Sequence, residues 1–145
     1  MLQIHATCVA IGDDAVLLCG PSGSGKSDLA LRLIDGGARL VADDRVILTR
    51  QESGMLIASA PRELRDLLEV RGIGILRLDA LASTKVRLVV DLVSPGDVER
   101  QPADCQADFL GVRRPLRRLA PFEVSTAAKI RLALQYPAVT RLPVA

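Results

Sequence analysis

At 145 residues the chain has the length of one ordinary domain, and such a domain buries roughly 68–70% of its unfolded surface, enough for a self-sufficient core. Hydrophobic residues make up 49% of the composition and aromatics only 2%, so the core must be built from Leu, Val, Ile and Ala, which argues against recognition of single-stranded nucleic acid by base stacking. A formal charge of +2 predicts no polyanionic partner, and Arg113, Arg114, Arg117 and Arg118 read as a solvated basic face.

Cys8, Cys19 and Cys105 are far apart and form no CxxC pair, so they read as reduced, half-buried strand residues and not as a zinc site. Met1-Leu2-Gln3-Ile4-His5 has no basic region followed by an apolar stretch, and no run of about 18 apolar residues occurs. These features predict a soluble cytoplasmic protein without a membrane partner.

In chain order, Leu2 to Ile11 favours strand, Gly12-Asp13-Asp14 reads as a turn, and Ala15 to Cys19 is an apolar strand that empties into a glycine-rich loop. Leu29, Leu31, Leu33 and Ile34 then lie among good helix formers, closed by Gly36-Gly37. Arg39 to Ala42 is a further strand, which pauses at Asp43-Asp44 and resumes at Val46, and Glu52-Ser53-Gly54 turns into Met55 to Ala58. Pro61 suits the first turn of a short helix, Arg62 to Leu68; Gly72-Ile73-Gly74 interrupts, and Ile75 to Leu78 reads as extended. Lys85 to Val93 is an alternating strand with Val86, Leu88, Val90 and Leu92 on one face. Ser94 to Pro121 holds four prolines and reads as loop with short edge strands near Phe109-Leu110 and Leu116 to Leu119. Ser125 suits an N-cap, Thr126 to Tyr136 a terminal helix, and Pro137 its end.

The chemistry concentrates in Gly20-Pro21-Ser22-Gly23-Ser24-Gly25-Lys26-Ser27. In the pattern GxxxxGK[ST], backbone N–H groups freed by glycine to take positive φ converge with a helix N-terminus on phosphate oxygens. Lys26 neutralises β/γ-phosphate charge, and the Ser27 hydroxyl suits Mg²⁺. A chance match in a chain of this size has a probability of roughly half a percent at average composition. Pro21 removes one N–H from the loop, at a position the pattern leaves free.

Acidic pairs in turns are commonly only solvated, so Asp43-Asp44 admits two readings. In the functional one, one acid accepts the proton of an attacking hydroxyl and the other holds a metal-bound water. Glu69 suits a second oxygen ligand to Mg²⁺, or else a surface salt bridge with Arg65 or Arg71. His5, the single histidine, reads by itself as structural or exposed.

Taken together, these ordered motifs resemble the catalytic, C-terminal domain of HPr kinase/phosphorylase. The resemblance implies an α/β fold with a mixed β-sheet flanked by helices, a P-loop domain resembling that of phosphoenolpyruvate carboxykinase, with residues 1–145 as a single P-loop kinase domain. His5 stands fifteen positions before Gly20, as a catalytic histidine does in the family, and the loop is similar to the family's, with an acid, Asp28, after it. Arg39 to Asp44 is similar to the family strand that ends in two aspartates, the second of which is the proton acceptor, here Asp44. Leu68 to Ile75 resembles the family's signature stretch and implies that Glu69 joins Ser27 as a Mg²⁺ ligand; Arg100 corresponds to a further family arginine. The resemblance is good from His5 to about Leu78 and fades thereafter, with Asp108 to Val112 a weaker point of contact.

The activity implied by this resemblance is that of an ATP-dependent, Mg²⁺-requiring serine kinase acting on HPr or an HPr-like phosphocarrier, with Lys26, Asp44, His5 and Arg100 catalytic. Phosphorolysis of phosphoserine-HPr to pyrophosphate is the implied reverse activity, and a homo-oligomer, commonly a hexamer, the implied assembly. The chain begins almost at the implied catalytic histidine and so resembles the short form found in some proteobacteria. Where long forms carry a Pro-x-Arg-Pro-Gly-Arg loop tied to dephosphorylation, Leu119 to Val124 differ, which favours the kinase direction. A P-loop small-molecule kinase and a non-catalytic nucleotide sensor are the alternatives.

Overall fold

A computed structural model of the chain describes residues 1–136 and 138. Eleven strands and two α-helices follow one another among these residues as β1 Leu2–Ile4, β2 Ala6–Ile11, β3 Asp14–Cys19, α1 Lys26–Asp35, β4 Arg39–Ala42, β5 Val46–Arg50, β6 Leu56–Ser59, β7 Leu67–Val70, β8 Gly74–Arg77, β9 Ser83–Leu92, β10 Gln106–Phe109, β11 Val112–Leu119 and α2 Thr126–Gln135. The architecture is α/β: a mixed sheet with two helices.

The sheet curls back on itself. Its path is β1-β5-β6-β9-β3-β2-β4, yet β1 runs into β2 through His5, and β4 into β5 through Asp43-Asp44-Arg45. The two composite strands pair antiparallel and keep their register across this gap, with Ile4 opposite Val46 and Cys8 opposite Ala42, the pairing shifting by one residue only beyond Cys8. Both ends of the sheet path therefore meet along the same pair of chains, and the curl encloses a core of small and branched residues, including Ala6, Ala10, Ala15, Ala58, Leu17 and Leu48. Six alanines belong to this core, Ala42 and Ala60 being the other two.

The outer face of the sheet, with Val9, Val16, Leu18, Leu88 and Val90, packs on Leu29 and Leu33 of α1 and Ile130 of α2. The two faces alternate along the strands as the pleat requires, except at two bulges: at β4, where Val41 and Ala42 both join the inner core because the pairing steps from Cys8–Ala42 to Val9–Leu40, and at β9, where the bulge corrects the sequence expectation. Val86 belongs to the inner core, whereas Leu88, Val90 and Leu92 belong to the outer one. The pairing of β3 with β9 steps from Ala15–Val86 to Val16–Leu88, so Arg87 is an extra, bulged residue that turns the strand over.

Two further expectations are corrected. Only Arg62–Leu64 is helical after Pro61, as a single 3-10 turn; Asp66 adopts φ 68°, and Leu67–Val70 pairs with β8 as a hairpin. Leu68 and Val70 are buried and Glu69 between them exposed, a period of two that only a strand supplies. Between Ser94 and Pro121, β11 is an eight-residue strand parallel to β9 over Leu116–Leu119, longer than the edge strand expected. Pro115 is accommodated because β9 pairs only beyond it, and the neighbouring Leu116 N–H reaches Cys105 O at 2.9 Å.

Helix α1 closes as its glycines predict. Gly37 takes φ 108°, the Ala38 N–H donates to Leu33 O and the Gly37 N–H to Ile34 O, which is a Schellman motif. Ser125 occupies the N-cap of α2 but makes no side-chain capping bond; the Thr126 hydroxyl instead donates to Ala120 O, tying α2 to the end of β11. Pro137, expected to end this helix, lies outside the described residues.

The curl leaves little spare volume at Ala58, which is fully buried. Ala58→Leu is expected to lower the unfolding free energy by about 1–3 kcal/mol through overpacking. Urea denaturation checks this, and an unchanged midpoint would mean that the interior of the curl is loosely filled.

Candidate functional site

Strands β3, β9 and β11 run parallel, and the loops that follow β3 and β11 meet beyond their carboxyl ends, where open α/β sheets place their ligands. Gly20–Ser27 leaves β3 and re-enters as α1, with Gly25 at the N-cap at φ 97°. Gly23 is also left-handed, at φ 79°, which lets consecutive N–H groups face inward towards the start of the helix.

Pro21 gives up a donor but supplies an acceptor: its carbonyl takes the Ser24 N–H at 3.0 Å and the Lys26 ammonium at 2.9 Å. Lys26 Nζ also donates to Gly20 O at 2.6 Å. The ammonium is thus strung across the loop, buried yet on the wall of a cavity of about 420 Å³.

The centre of the site is Asp43. Its Oδ1 accepts the Ser27 hydroxyl at 2.9 Å and the Thr7 hydroxyl at 3.0 Å, and its Oδ2 accepts the backbone N–H of Glu69 at 3.3 Å. One buried carboxylate therefore holds the phosphate-loop serine, strand β2 and strand β7 together. Thr7 is a site residue that the motifs miss; its signal is a lone hydroxyl within the otherwise apolar Ala6–Ile11, since a fully buried hydroxyl needs a partner.

Asp44 is placed differently. Its backbone takes φ 70° and the Arg45 N–H donates back to Asp43 O at 2.8 Å, a three-residue γ-turn in its rarer, strained hand. The turn throws the Asp44 side chain outwards, where Oδ1 lies 2.8 Å from Nε2 of His5, the residue at the matching break between β1 and β2. Both groups are about half exposed, so the pair adds little to stability. Two paired strand breaks, one on each chain of the ladder, thereby set an imidazole and a carboxylate side by side.

His5, Thr7, Lys26, Ser27, Asp44 and Glu69 all line the same cavity, as do Ser22, Gly23 and Gly25 of the loop. Glu69 makes no ion pair with Arg65 or Arg71 among the described residues. Arg71, expected only as a partner for Glu69, also faces the cavity. Gly20, Pro21 and Ser24 form the loop behind this wall. Arg100 is exposed between β9 and β10 and does not line the cavity.

The segment after β11 completes the rim. Arg32 of α1 donates to the carbonyls of Pro121 and Glu123, pressing Pro121 and Phe122 against the loop. A Cβ on Gly25 would lie 2.9 Å from Pro121 Cβ and 2.8 Å from the Phe122 ring. Gly25 is therefore required for close approach as well as for its φ.

At the root of the loop, burial pushes the Cys19 thiol up to about 11, reinforced by the Asp91 carboxylate and opposed by Lys26. Burial likewise pushes the Cys8 thiol up.

This geometry leads to three expectations. Asp43→Ala leaves the Ser27 and Thr7 hydroxyls without their acceptor and is expected to cost about 1–3 kcal/mol in urea denaturation, whereas a loss near zero would show that the hub holds nothing. At position 44 the usual order reverses: Asp44→Gly is expected to be more stable than Asp44→Ala by about 1 kcal/mol, because only glycine takes positive φ freely. Because Cys19 holds its proton more tightly folded than unfolded, its contribution is complete below the ordinary thiol value of 9.0 and is lost as pH rises through about 11; the buried Cys8 is shifted in the same direction. At about pH 8, below that ordinary value, a thiol reagent should therefore label both only after denaturant is added.

Comparison with known proteins gives the family. The family model described as HPr Serine kinase C-terminal domain matches residues 1–125. HPr kinase/phosphorylase of Limosilactobacillus reuteri is 40% identical over 112 residues, which span 77% of this chain and 35% of that protein. The protein of the same description from Lactiplantibacillus plantarum is 38% identical, over 84% of this chain and 39% of its own length. The chain thus spans a little over a third of these curated relatives. Among solved structures, the Hpr(Ser) kinase/phosphatase from Coxiella burnetii superposes with a TM-score of 0.79 at 27% identity, covering 93% of this chain and 88% of that one. Because that family model matches residues 1–125 of its 145 residues, the chain belongs to the HPr serine kinase C-terminal domain family.

Proposed function

We propose that this chain is an ATP-dependent protein serine kinase whose substrate is HPr or an HPr-like phosphocarrier, acting in the cytoplasm as a single P-loop domain of the phosphoenolpyruvate carboxykinase type. The observation that carries this reading is the placement of the Asp44 carboxylate on the same cavity wall as Lys26 and Ser27. A phosphate cradle alone captures a nucleotide; a cradle with an exposed carboxylate beside it can also take a proton from an incoming alcohol.

The residues present suit Mg-ATP: inward amides, one ammonium, a hydroxyl on Ser27 and a carboxylate on Glu69 are the donor set that phosphates and a hard, oxygen-seeking cation require. When bound, ATP supplies the phosphoryl group and Mg²⁺ screens its charge. Ser27 and Glu69 would hold the metal, with Asp43 orienting Ser27 through the 2.9 Å bond. Lys26 would exchange its loop carbonyls for phosphate oxygens and offset developing charge. Asp44 would accept the proton of the substrate serine as its oxygen attacks, and His5 would hold the carboxylate in place. Catalysis on this reading is placement plus electrostatic stabilisation.

In the opposite direction, His5 or a protonated Asp44 would assist inorganic phosphate in attacking phosphoserine, giving pyrophosphate and the free hydroxyl. The exposed Ile73 and Ile75 at the β7–β8 hairpin are the surface we assign to assembly into a homo-oligomer, with a hexamer as the expected form. No helix among the described residues is long and apolar enough to cross a membrane.

The test is phosphotransfer from ATP to HPr-type proteins, read as phosphoserine by mass spectrometry, with a metabolite panel alongside. Asp44→Asn is expected to lower transfer by about a hundredfold or more, the scale of general-base loss, while retaining nucleotide affinity. Lys26→Ala should lose both. Wild-type protein that binds nucleotide yet phosphorylates nothing would reduce the chain to a sensor, and transfer to a metabolite alone would make it a small-molecule kinase.

A further inference from the structure

Phe122 is one of only two phenylalanines in the chain, and 69% of it is exposed. An exposed ring in a chain so poor in aromatics calls for a reason, because burying it elsewhere would remove apolar surface from water. Its backbone is not free to move: Pro121 on one side is buried, and the carbonyls of Pro121 and Glu123, flanking the ring, are both held by the Arg32 guanidinium. Asp28 in turn holds Arg32, at 3.2 Å. The ring is thus fixed against Gly25 with the rest of its surface open, and it lines the same cavity as Lys26 and Ser27.

A second exposed apolar group lines the same cavity. Leu31, on the outward flank of α1, is 38% exposed and also lines this cavity. It follows Lys26 by five residues, about 7.5 Å along the helix axis. The cavity is therefore lined both by polar groups, Lys26, Ser27, Asp44 and Glu69, and by the exposed apolar groups Phe122 and Leu31, which supply its apolar ledge.

We propose that this ledge is a nucleobase subsite, in which the planar base of the nucleotide stacks on Phe122 and rests against Leu31 while its phosphates occupy the Gly20–Ser27 loop. The proposal rests on the reading of that loop as a phosphate cradle. Continuity of ledge and cradle in one cavity selects a ligand with a polyanionic end and a flat apolar end. Stacking on an aromatic ring tolerates any base, so the ledge raises affinity for nucleotides over bare polyphosphate without discriminating strongly among bases.

Isothermal titration calorimetry of wild type, Phe122→Ala and Phe122→Trp with Mg-ATP and with inorganic tripolyphosphate tests this, circular dichroism confirming that each variant is folded. Wild type should bind ATP more tightly than tripolyphosphate. Phe122→Ala should weaken ATP roughly tenfold, the scale of one lost stack, leave tripolyphosphate unchanged, and be rescued by Phe122→Trp. Equal weakening of both ligands would show that the ring only props the loop and would overturn the proposal. So would an unchanged ATP affinity accompanied by a raised KM for the protein substrate, which would give the ledge to that substrate. If neither ligand binds wild type, the cradle reading itself fails, which is a distinct result from tripolyphosphate binding as tightly as ATP.

Discussion

The site depends on one carboxylate accepting from three directions. Asp43 joins the phosphate loop through Ser27, the first long strand through Thr7 and the β7–β8 hairpin through the Glu69 amide. None of these segments is adjacent in sequence, and each would otherwise bring a polar donor into a region where Thr7 and Asp43 are largely cut off from water. Satisfying all three donors on two oxygens removes the cost of burying them and fixes their separation at once. The proposed metal ligands, Ser27 and Glu69, are thus located by a residue that itself faces away from solvent.

Around that hub, the curl of the sheet has a direct chemical consequence. A continuous ladder of β1–β2 with β4–β5 would have hidden alternate side chains in the core along its whole length. Breaking both chains at the same level, without changing register, frees His5 and Asp44 to face the cavity. The local cost is the positive φ of Asp44, on the order of 1–3 kcal/mol for a strained backbone, and the neighbouring paired strands over-determine it. Strain of this kind is tolerated only where the surroundings hold it, and here it sits at the residue to which we assign the proton.

The far side of the loop is governed by packing. Parallel strands β3 and β11 end at the same level on either side of β9, which brings Pro121 and Phe122 against Gly25. Arg32, Asp28 and the carbonyls around Phe122 make this contact rigid. The solved kinase/phosphatase from Coxiella burnetii shares the fold over 93% of this chain, while the chain covers only a little over a third of the curated relatives.

Much of this was legible in the residues. The phosphate loop, its flanking strand and helix, the break at Asp43-Asp44 and the glycine stop of α1 depend on local backbone rules, and glycine spacing or apolar period reveals them directly. The division of labour between the two aspartates was not local: both have the same side chain, and only the pairing of β4 with β2 buries one and the γ-turn exposes the other. The same holds for Thr7, whose partner lies 36 residues away, for Arg87, whose bulge exists only because β3 and β9 pair, and for Leu67–Val70, where two buried positions were too few to distinguish strand from helix. Sequence determined which groups were available to hold phosphate and accept a proton. Tertiary structure decided which of them share a cavity, because burial and hydrogen-bond partners are properties of segments brought together from a distance.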